Sequence, residues 1–155
     1  MYQYRRRKML IAAGTVLACL VLFAALISRL VPDGEKKAEE AVRKFYQYEQ
    51  KGNFSESWDM FHPLMQERFS KGHYIQDRAH VFLNHFGVDT FDVVLGDAEK
   101  MDRWKMTGEA EPLEDVYKVP VTMVYKGKYG NFNIQQDVFA VKEEGEWKIL
   151  WDYKK

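Results

Sequence analysis

The stretch "EGEWKILWDYKK", residues 144–155, decides how the second half of this 155-residue chain folds. Trp147, Ile149, Trp151 and Tyr153 occupy every second position. That is the period of a strand with one bulky face. "KEEGE" just before it carries the glycine of a tight turn, so the preceding segment is expected to run antiparallel to it.

Working back toward the N-terminus, the same period recurs. Residues 132–142 read as a strand whose apolar parity slips between Ile134 and Phe139, which points to a bulge or to burial on both faces. "KGKYGN" reads as a hairpin turn. Tyr117, Val119, Val121, Met123 and Tyr125 form one face of another strand, in which Pro120 lacks the donor that a central strand uses. The polar, Gly- and Pro-interrupted residues 103–115 read as a loop. Phe91, Val93 and Leu95 begin the series as a first strand.

The first half carries the helical period. Ala38, Ala41, Val42, Phe45 and then Tyr48 or Glu49 lie on one face, and Gly52 marks a stop. Asn53 with Glu56 predicts a capping box for a helix presenting Phe54, Trp58 and Phe61, which ends before Pro63. Residues 64–69 read as a helical turn. Ser70 then caps a longer helix through Phe86, with Tyr74, Arg78, Phe82 and Phe86 as one stripe. Three helices followed by four meandering antiparallel strands is an α+β layout, in which the helices cover one face of a bent sheet.

Charge is divided along the chain. Arg5, Arg6, Arg7, Lys8 and Arg29 give the first 32 residues +5, while the remaining 18 basic and 23 acidic residues leave −5. An acidic domain without a basic cluster is a poor nucleic-acid binder. Residues 9–27 are 19 residues without a charge, preceded by four consecutive cations. This predicts a basic cytoplasmic N-terminus (1–8), one transmembrane helix (9–31), a polar linker (32–37) and an outer domain (38–155). Length and flanks favour an uncleaved anchor over a signal peptide, and over a lipoprotein reading of "VLAC". Cys19 is the single cysteine and lies in the apolar run, so the outer domain forms no disulfide.

In their order, "GNFSESWDMFHP", "FSKGHYIQDRAHVFLNHFGV" and "GEWKILWD" resemble the NTF2-like superfamily. They are most similar to the membrane-proximal NTF2-like domain of Gram-positive class B penicillin-binding proteins. The resemblance covers residues 38–153 and implies a cone of helices and sheet that acts in docking. No S-x-x-K nucleophile motif is present and the sequence stops at Lys155, so transpeptidase activity is not expected.

Candidate chemistry is sparse. His62, His73, His80 and His85 have no partnered carboxylate in the local sequence, and His62 is expected to interact with a helix end. Asp137 stands among apolar residues, either as a buried acid or as an exposed residue on a bulge. Arg103 to Lys105, "RWK", reads as a basic aromatic loop facing lipid head groups or wall polymer. Tyr46, Trp58, Tyr74, Tyr117 and Trp147 are candidate pocket-lining residues, with core packing as the plainer reading. No metal ligand set, cofactor motif or catalytic residue is expected. The expected function is a non-enzymatic, single-pass interaction or scaffold module outside the cytoplasmic membrane, with a cell-envelope protein or a second copy as partner. Two alternatives stand beside it. One is a binder of a small apolar or cell-wall-derived ligand in the cone. The other is an isomerase or dehydratase, which requires a buried carboxylate facing a Tyr or His.

Overall fold

The computed structural model describes residues 34–80, 90–127 and 130–154. The apolar run read as an anchor, the stretch with Phe82 and Phe86 into which the longer helix is expected to run, and His85 lie outside the described residues. Among the described residues, no helix is long and apolar enough to cross a membrane.

Helix α1 (Gly34–Gln50) buries Ala38, Ala41, Val42, Phe45, Tyr46 and Glu49. The expected linker up to Lys37 is therefore already helical from Gly34. A methyl group on Gly34 would meet the Tyr117 hydroxyl, so any larger residue at the helix start would displace that ring. At its other end Gly52 has φ 71. Gly52 N–H donates to Glu49 O at 3.1 Å and Asn53 N–H to Tyr48 O at 2.9 Å, the paired bonds of a Schellman stop. Helix α2 (Phe54–Asp59) follows. Asn53 occupies its cap position, but its side chain makes no capping bond, so the expected capping box does not form. Helix α3 (Pro63–Arg68) is the expected helical turn. Helix α4 (Lys71–His80) begins at Ser70, whose carbonyl accepts from Tyr74 N–H at 2.9 Å.

Five strands then form one antiparallel sheet: β1 (Asp92–Leu95), β2 (Glu99–Trp104), β3 (Leu113–Gly127), β4 (Gly130–Glu143) and β5 (Glu146–Trp151). The chain is α+β, with four helices and five strands among the described residues instead of three and four. The extra strand is β2, whose end at Trp104 overlaps the start of the expected loop. "EKMDRW" has no apolar face to betray a strand. It is one because it pairs with residues 113–118 of β3. The lipid-facing reading of "RWK" also fails. Trp104 is buried and stacks on Phe139 with ring centroids 4.0 Å apart.

β3 is the spine, with β4 along one side and β1 and β2 end to end along the other. Pro120 sits at their junction. Its carbonyl accepts from Gly96 N–H at 2.8 Å, but its nitrogen has no hydrogen to return, so the β1 ladder halts after Leu95. The β3–β4 register is unbroken from Tyr117↔Ala140 to Gly127↔Gly130. The parity slip is therefore not a bulge. Val138 to Val141 are buried on both faces. Val138 and Ala140 share the helix-side face with Trp151 and Ile149, their partners across β4–β5, while Phe139 turns to the other face, against Trp104. Asp137 is exposed.

The core lies between the helices and the face carrying Val119, Val121, Met123, Tyr125, Ile149 and Trp151. Phe61 is fully buried there, with ring centroids 5.2 Å from Phe45, 5.1 Å from Tyr74 and 5.0 Å from Trp151. The outer edge of β5 is closed by the chain after α2: His62 N–H donates to Ile149 O at 3.0 Å, and Ile149 N–H to Met60 O at 2.9 Å.

Candidate functional site

The helical period that buries Ala38, Val42 and Phe45 also carries Glu49 to the core face, in the last turn of α1. A carboxylate there faces the negative end of the helix dipole and is 2 % exposed, so it requires strong partners. Two other helices supply them. Ser57 Oγ on α2 donates to Glu49 Oε1 at 2.5 Å, and Tyr74 Oη on α4 donates to the same oxygen at 2.7 Å. Arg78, one turn beyond Tyr74, donates through Nε to Glu49 Oε2 at 2.6 Å and also reaches that oxygen through Nη2. The carboxylate thus ties α1, α2 and α4 together.

Burial and the neighbouring charges hold the tyrosines protonated and Arg78 charged near neutral pH. Burial raises the Tyr74 hydroxyl, and the Glu49 charge raises it further. Burial likewise raises Tyr46 and pushes Tyr125 up to about 12. Burial alone would lower the Arg78 guanidinium, but the Glu49 carboxylate more than offsets it. The tyrosines are donors and the arginine is a cation. Glu49 receives four donor contacts, about as many as the lone-pair sites of a carboxylate.

Beside the cluster, the Trp151 side chain hydrogen-bonds toward the Tyr46 hydroxyl and offsets a little of the rise that burial imposes on it. Tyr46 and Trp151 both pack against Phe45.

The five expected pocket residues fall into separate places. Tyr46 and Tyr74 are buried in the core beside the Glu49 cluster. Trp58 is half-buried on α2, with Nε1 donating to Phe69 O at 2.8 Å and Lys71 lying 5.3 Å from its ring. Tyr117 and Trp147 meet edge-on at 5.5 Å on the sheet. Trp147 also lines a groove of about 310 Å³ between α1 and the β4–β5 turn, with Lys37, Lys44, Met60 and Lys148. The structure therefore does not gather the five around one cavity among the described residues. The charged centre was only half legible: the period admitted Glu49 as an alternative to Tyr48, and Tyr74 and Arg78 share a stripe. Ser57 gave no signal, since its role comes from the angle at which α2 crosses α1.

His62 has a structural role at a helix start. It is the N-cap of α3, where Nδ1 accepts from Leu64 N–H at 3.2 Å, while Nε2 lies 3.2 Å from Glu143 Oε2. Burial lowers its pKa from the ordinary 6.5; Glu143 and Glu67 pull upward and Lys148 downward. The unfolded chain therefore takes up a proton that the folded chain resists, and stability falls as pH drops below 6.5, levelling off once the folded histidine also titrates. His62→Asn preserves an acceptor for the cap. In urea denaturation at pH 8 and pH 5, wild type is expected to lose more stability between the two than His62→Asn. Equal losses would remove this role.

Among the described residues, no group of three or more His, Cys, Asp or Glu is placed to hold a metal ion. No known protein family matches this chain, and no characterised protein does either.

Proposed function

We propose that this chain is a membrane-anchored, non-enzymatic protein-interaction module. In this reading residues 9–31 cross the cytoplasmic membrane with the N-terminus inside. The outer domain is an NTF2-like cone that docks a cell-envelope protein or another copy at the external surface. The helices-then-sheet order and the helix-covered sheet face support the cone. The uncharged run behind four cations supports the anchor.

The observation that carries the non-enzymatic reading is the state of Glu49. An isomerase or dehydratase on such a scaffold requires a carboxylate with a free lone pair aimed at substrate and a pKa near the working pH. Glu49 has its acceptor sites occupied by Ser57, Tyr74 and Arg78, and the adjoining tyrosines are held protonated. This is a brace between helices. The test is photo-crosslinking of the full chain in its native membranes, with the reactive residue placed in turn at exposed positions such as Val94 and Lys126. Discrete adducts with another polypeptide are expected. Monomer alone from every position would overturn the reading.

A further inference from the structure

The sheet treats its edges unequally. β5 is closed by residues 60–62. β2 carries Glu99, Lys100, Asp102 and Arg103 among its six residues, and such charges discourage pairing with another strand. β4 has neither defence over its first half. β5 pairs only from Val138 onward, so among the described residues 130–137 have β3 on one side and no strand on the other. Residues 130–136, "GNFNIQQ", contain no charge and no proline. Ile134 is 36 % exposed, and Phe132, stacked on Tyr125 at 4.9 Å, is 37 % exposed.

The register tells which groups face outward. Pro120 O points to Gly96, away from β4, so Pro120↔Asp137 is a non-hydrogen-bonded pair of the β3–β4 ladder. Alternation then directs the N–H and C=O groups of Asn131, Asn133 and Gln135 out of the sheet. We propose that a second copy of this chain pairs antiparallel with this edge about a twofold axis at Asn133, joining two sheets into one. Asn133 then opposes Asn133 of the second copy, and Asn131 opposes Gln135. Phe132 lies against Ile134 on the helix-side face, in a close non-hydrogen-bonded pair. A second copy fits better than a different strand. Nothing on residues 130–136 selects a charged partner, and an isologous contact needs one patch that complements itself, as this uncharged, apolar-alternating segment does. The proposal rests on the interaction-module reading and names its partner.

The test is disulfide trapping in the full chain in membranes, with Cys19→Ser removing the only native thiol. Facing residues of a hydrogen-bonded pair stand about 5.5 Å apart at Cα, within disulfide reach. Asn133→Cys should give severalfold more covalent dimer than Val94→Cys, which is 60 % exposed on the same sheet. Adding Gln135→Pro removes an outward donor while sparing the β3 ladder, and should abolish the dimer at an unchanged melting temperature. If that variant does not fold, Ile134→Lys, which leaves the backbone intact, is expected to do the same. Dimer no greater than at Val94, or trapping that survives both changes, would overturn the proposal. Trapping of a different protein at position 133 would overturn the second copy yet leave the interaction-module reading standing. Absence of any polypeptide adduct anywhere on the domain would remove both.

Discussion

Glu49→Ala is expected to cost about 3–5 kcal/mol of unfolding free energy, the range for breaking a buried ion pair from one side. The magnitude comes from what is left behind. Glu49 is 2 % exposed, and the Arg78 side chain 22 %. Removing the carboxylate strips the cation of its counter-charge in a place where water restores little. The hydroxyls of Ser57 and Tyr74 lose the acceptor they share, and unmet buried donors add their own cost. Replacing both charges, Glu49→Met with Arg78→Met, is expected to be milder than Glu49→Ala alone, because a buried pair exchanged for apolar groups leaves no stranded charge. Denaturant unfolding followed by tryptophan fluorescence measures both. A double variant no better than Glu49→Ala would mean that the hydroxyl contacts, not the charge pair, dominate the brace.

Phe61→Ala is expected to cost a further class of energy of similar size, about 3–5 kcal/mol for a buried phenylalanine. Its ring is fully buried among Phe45, Tyr74 and Trp151. Three separate elements therefore lose contact at once, and the site cannot collapse without moving a helix. The backbone bonds at Met60 and His62 that close the β5 edge do not depend on the side chain, so the variant should stay folded and lose stability without losing strand content. Circular dichroism beside a denaturation curve separates these. A loss below about 1 kcal/mol would mean that the cluster repacks freely, contrary to the close packing of interiors.

How far the sequence was legible follows from where each signal is stored. Trp147, Ile149 and Trp151 announce β5 because a strand with one buried face writes its period into the chain. β2 writes no period, since its two apolar residues, Met101 and Trp104, fall on opposite parities, and it is made a strand by its neighbour. Trp104 looked like a surface aromatic between two cations. Its burial depends on Phe139, 35 positions away, which local pattern does not convey. Asn53 and Glu56 have the spacing of a capping box, but the Schellman stop at Gly52 already fixes the chain's path there, and Asn53 takes φ −81, ψ 61 without a side-chain bond. In the candidate site, Tyr74 and Arg78 were legible as one stripe and Glu49 as an ambiguous position. Their convergence was not, because three helices must cross before the carboxylate and its donors meet.

Pro120 has a meaning beyond ending a ladder. A slip of β1 by one residue along β3 would turn Val93 and Leu95 to the wrong face, so burial forbids it. The smallest slip that keeps the faces is two residues. Toward β2, it would set Val94 opposite Pro120, in a pair that needs an N–H the ring nitrogen lacks. The proline is thus a ratchet tooth for the sheet. It blocks the one displacement toward β2 that hydrophobic patterning would tolerate, and it keeps the two short strands from exchanging places along the spine they share.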